Sequence, residues 1–171
     1  MMFASKYQLL DNLGIPYWLA RNSRSILQSN SPLFCARCLV LLPSQLGREQ
    51  CDYAKVLSGM VKVLDLKTEE ICVAWLGNWE QDNLYAALMQ ELTKWAPRSL
   101  LVMGEALAAL VMNSSVSLDE LRVSLHRVTV QNIPMQCTYH PEELSQNPVH
   151  KKKAYQDLLY LKDWISKGNV A

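Results

Sequence analysis

Long apolar runs are missing from this chain. The most apolar stretches, 100–103 and 106–112, are interrupted by Gly104 and Glu105, and together they fall short of a membrane span of about 20 residues. A dominant charge is missing too. The formal net charge is +1, so no global field draws the protein to nucleic acid or to a lipid surface. The opening MMFASKYQLLDNLG has no extended apolar core of the signal-peptide kind, and the expectation is a cytoplasmic protein without a membrane segment. Internal repeats and low-complexity tracts are also absent.

Cysteine is present but not in a metal-binding pattern. Cys35 and Cys38 form the only close pair, whereas Cys51, Cys72 and Cys137 are scattered. A structural zinc or iron–sulfur site needs about four ligands. The expectation is therefore no metal and no cofactor, with the thiols acting as small buried hydrophobes. The one basic cluster, Lys151 to Lys153, falls at the start of the last helical segment, where it opposes the helix dipole. A solvated helix start explains it, and a contact to a phosphate or to an acidic partner is the alternative.

What the chain does have is apolar periodicity, with hydrophobic residues making up 50% of its 171 positions, enough for one substantial core. Residues 1–30 stand apart. SKYQLLDNLG suits a short helix capped by Ser5 and stopped by Gly14, and IPYWLARNSRSILQSNSP lacks a clear period and reads as an arm or linker. Tyr17 and Trp18 are larger apolar groups than a bare linker requires.

Residues 31–171 read as one α/β domain. CLVLLP, EEICVAWLG and RSLLVMG are short apolar runs suited to strands buried on both faces. Between them, REQCDYAKVLSGMVKVLDL spaces Tyr53, Val56, Leu57, Met60, Val61 and Leu64 as a helix, and EQDNLYAALMQELTKWAP does so with Leu84, Leu88 and Leu92. Gly104 turns the chain into the helix EALAALVM. A polar loop follows, then RVSLHRVTVQ, which alternates like a half-buried strand, and IPMQCTYHP, which predicts another. The last helix, KKKAYQDLLYLKDWI, is expected to show one face through Tyr155, Leu158, Leu159, Lys162 and Ile165. Strand–helix alternation predicts a three-layer α/β/α architecture around a mostly parallel sheet.

Pro134, Thr138, Tyr139, His140, Pro141, Leu144, Asn147 and Pro148, followed by Tyr155, Asp157 and Leu158, stand in an order that resembles the uracil-DNA glycosylase superfamily. LLVMG followed by the small-residue helix EALAAL, and LSGMVKVLDLKTEEICVAWL, resemble that family as well. The resemblance implies a glycosylase-like fold from about Leu39 to Ile165. It also implies that His140 and Pro141 stand where the family holds a catalytic histidine beside the sugar of an extruded nucleotide. The family's Gly-Glu-x-Pro-Gly loop has no counterpart: Leu42, Pro43 and Ser44 occupy that place, and Gln45 and Glu49 lack a glycine frame. His140 and Pro141 therefore read as a vestigial glycosylase motif, and no catalytic residue is expected.

Leu10, Leu13, Gly14, Ile15, Trp18 and Arg21 resemble the start of the psi-subunit family of bacterial DNA polymerase III, which pairs such an arm with a glycosylase-like body lacking glycosylase chemistry. That resemblance implies a non-catalytic clamp-loader accessory subunit. Its arm (Leu10, Leu13, Ile15, Tyr17, Trp18, Arg21) would bind clamp-loader subunits and its body the chi subunit, without sequence-specific contact to nucleic acid. The alternative is a degenerate or divergent glycosylase-like protein of DNA repair.

Overall fold

The computed structural model describes residues 27–29, 36–43, 51–77 and 82–168. Its strands are β1 (Leu27–Ser29), β2 (Cys38–Pro43), β3 (Ile71–Leu76), β4 (Leu100–Met103), β5 (His126–Val128) and β6 (Ile133–Thr138). They form one six-stranded sheet in the order β1-β3-β2-β4-β6-β5. The central pairings β3/β2, β2/β4 and β4/β6 are parallel, and the edge pairings β1/β3 and β5/β6 are antiparallel. Leu27–Ser29 falls inside the segment expected to be arm, yet it pairs in register with Leu76, Trp75 and Ala74, and Leu27 is buried.

The helices are α1 (Cys51–Val63), α2 (Leu84–Trp95), α3 (Glu105–Met112), α4 (Leu118–Leu121), α5 (Pro141–Gln146) and α6 (Lys151–Ser166). The step β2–α1–β3 runs one way along the sheet, whereas β3–α2–β4 and β4–α3–β6 run the other. Right-handed crossovers then place α1 on one face and α2 and α3 on the opposite face. The packing agrees: α1 touches both α5 and α6, while α2 touches α3, and α3 lies on β2 and β4. β3, β4 and β6 are buried at every position and β2 at all but its last, which demands cover on both faces.

Three expectations need correction. The alternating run at 122–131 yields only the short strand His126–Val128: Arg122 still closes α4, and after the strand Gln131 and Asn132 take left-handed conformations (φ 56° and 55°) that turn the chain into β6. Ahead of that strand, the supposed polar loop contains α4, capped by Ser117, whose Oγ accepts the Glu120 N–H at 3.4 Å. On α6 the buried residues are Ala154, Asp157, Leu158, Leu161 and Ile165, so the inward face is rotated from the expected one and Tyr155 is left 51% exposed.

Candidate functional site at the carboxyl ends of the strands

The crossovers that leave the neighbouring strands β2 and β4 run in opposite directions along the sheet, so the crevice beyond their carboxyl ends is where an open α/β sheet offers a ligand site. β2 ends in Pro43 and β4 runs into Gly104. At φ +100° and ψ 148° Gly104 occupies a region that glycine alone adopts readily. Its N–H donates to the Thr138 carbonyl at 2.9 Å, tying β4 to the end of β6. A Cβ at position 104 would stand 3.6 Å from His140 Cβ and 4.0 Å from Pro43 Cγ. Pro43, Gly104 and His140, distant in sequence, thus share one wall.

His140 follows β6 and is the N-cap of α5. The Glu142 N–H donates to its Nδ1 at 3.3 Å, and Pro141 at the first helical position needs no such partner. An accepting Nδ1 leaves the ring proton on Nε2. Burial lowers the pKa of the imidazole to about 4, so it is neutral at physiological pH. The Glu142 carboxylate is 4.0 Å from Nδ1. This ring is an uncharged cap, seated between the strand end and the helix.

No protein-family model matches this chain, and no curated protein matches it.

Beside His140 lies a charged cluster that the sequence did not reveal. Arg122 grips buried Asp157 of α6 in a two-point pair, Nε–Oδ2 at 2.8 Å and Nη2–Oδ1 at 3.0 Å. Thr138 Oγ1 donates to the same carboxylate at 2.8 Å. Burial raises the Asp157 carboxyl above its usual range, while the Arg122 and Thr138 hydrogen bonds pull it back down. The guanidinium also lies over the Tyr139 ring, 4.5 Å from its centre, and the other side of the network continues through Asp119. Tyr139 donates to Asp119 at 2.6 Å and stacks on His150 at 4.5 Å, and burial pushes its phenol up to about 12. The cluster locks Thr138 and Tyr139, and with them the position of His140. Arg122 carries no sequence pattern of its own; only the S-x-x-E capping signature at Ser117–Glu120 marks the nearby helix.

Cys38 opens β2 fully buried, and its thiol is pushed up to about 12 by burial, partly offset by Ser99. Cys35, Gln45 and Glu49 lie outside the described residues, as do Leu10, Leu13, Ile15, Tyr17, Trp18 and Arg21. Among the described residues no group of three or more His, Cys, Asp or Glu side chains could hold a metal, and no helix is long and apolar enough to cross a membrane.

Proposed function

We propose that this protein is a non-catalytic accessory subunit of the psi kind. On this reading a uracil-DNA glycosylase-like body docks the chi subunit, and an N-terminal segment docks the clamp loader of a bacterial DNA polymerase III. The observation that carries the non-catalytic part is the condition of His140. Its Nδ1 is used as a helix cap, its ring is neutral, and on the wall it shares with Gly104 the end of β2 is Pro43, where the glycosylase loop would open with glycine and glutamate. Glycosidic cleavage needs an activated water and stabilisation of a cationic sugar. A capped, uncharged histidine supplies neither. The replication role rests on the likeness of Leu10, Leu13, Ile15, Trp18 and Arg21 to psi arms.

Two assays on the purified full chain test the reading. Titration with purified clamp-loader complex is expected to give a saturable complex, and incubation with uracil-containing DNA is expected to release no base. Uracil release abolished by His140→Ala would overturn the non-catalytic reading. Failure to bind the clamp loader, with no uracil release, would remove the replication role and leave a degenerate glycosylase-like protein of DNA repair. The nearness of Pro43, Gly104 and His140 at the sheet's crevice is what favours that second reading.

A further inference from the structure

On the face remote from α2 and α3, helices α1, α5 and α6 enclose a groove of about 270 Å³. Its lining is mainly apolar: Met60 and Leu158 are buried behind it, and Tyr155 stands half-exposed at its side. Leu159, one turn beyond Tyr155 on α6, is 39% exposed and extends the apolar surface.

Gly59 sits in the middle of α1 and lines the groove. Mid-helix glycine is destabilising relative to alanine. Nothing in the fold demands it, because its φ is not in the left-handed range and a Cβ there would meet no atom within 4 Å. The missing side chain instead leaves space open to an incoming group. The charged residues that line the groove are of one sign. Lys55 of α1 and Lys151 of α6 both line it, and among the described residues neither makes an ion pair. Two other lysines of α6 differ, since Lys153 pairs with Asp119 and Lys162 with Asp65.

We propose that this groove is a docking site for an acidic amphipathic helix of a partner protein. One of its apolar side chains enters beside Gly59 and packs on Met60 and Leu158, while its carboxylates meet Lys55 and Lys151. The mode is helix-in-groove recognition, with apolar anchors supplying affinity and the lysines setting orientation and choice of partner. It needs only that the protein has a docking role, and holds whether or not the clamp loader is involved.

The probe is a synthetic helical peptide of about 14 residues with a leucine stripe flanked by glutamates, against a twin with lysines for the glutamates. Each is titrated into the full-length protein, following the backbone amide signals of Gly59 and Tyr155. The acidic peptide is expected to shift both signals saturably, and the basic twin to bind at least tenfold more weakly. Lys55→Glu with Lys151→Glu should reverse that preference, and added salt should weaken the acidic complex. Gly59→Leu should weaken binding at least tenfold, while the melting temperature stays the same or rises by a few degrees. That pairing separates a filled groove from a damaged fold. Equal binding of the two peptides, or undiminished binding by the Gly59→Leu variant, would refute the proposal. So would a concentration-dependent dimer abolished by Gly59→Leu, which would make a second copy of the chain the occupant.

Discussion

His140 ties protonation to stability. Its imidazole titrates near 6.5 in an unfolded chain and at about 4 in the fold, because burial disfavours the cation. Between those values the unfolded state binds more protons, so stability rises with pH across the window and is lost as the solution is acidified through it. The full difference is on the order of 3 kcal/mol. His140→Asn keeps a side-chain acceptor at the N-cap but cannot titrate. Its urea midpoint is expected to vary less between pH 7 and pH 4 than that of the parent protein, and equal slopes would contradict this account. Arg122 and Asp157 are coupled differently, with side chains 10% and 3% exposed. Arg122→Met leaves a carboxylate buried without its cation and is expected to cost about 3–5 kcal/mol in urea unfolding. Adding Asp157→Leu should recover part of that loss, because an apolar pair avoids the stranded charge. A double variant less stable than Arg122→Met alone would show that the pair is not what matters.

Among the elements, the turn from β4 into α3 depends on one residue. Gly104→Ala would put a Cβ at ordinary contact distance from His140, so the expected penalty comes from the backbone at φ +100° and is of order 1–3 kcal/mol. A thermal melt unchanged within error would argue that the turn relaxes freely. The sequence marked this glycine as a turn and marked the buried strands, since four- to six-residue apolar runs have few other stable fates. It mistook the inward face of α6. Asp157 counts as a surface residue by hydrophobicity, yet it is buried because Arg122, 35 positions earlier in the chain, neutralises it, and Thr138 donates to it as well. Tyr155 shows the opposite case, an aromatic residue placed on the same face as buried Leu158 and Ile165 that instead borders an open groove. The alternation at 122–131 was overruled by two consecutive left-handed residues, Gln131 and Asn132, which a polar/apolar pattern does not record.

For the molecule as a whole, the proposed division of labour places clamp-loader binding in the N-terminal segment, the other docking surfaces on the body, and stability in the sheet. Trp18→Ala is then expected to weaken clamp-loader binding by roughly 30-fold, since a buried aromatic anchor contributes about 2 kcal/mol or more at an interface. The same substitution should leave the melting temperature nearly unchanged, and a large drop with intact binding would place Trp18 in the core instead. By itself the sequence determined the α/β class, the buried strands, the Gly104 turn and the strand-to-helix position of His140 and Pro141. These follow from period, local turn chemistry and short-range steric limits, all written within a few residues. Only the tertiary structure decided that Pro43, Gly104 and His140 share a wall, that Arg122 reaches Asp157, and that Gly59 opens a groove between two lysines. Each of these joins positions tens of residues apart, and the crossovers that bring them together leave no periodic trace in the chain.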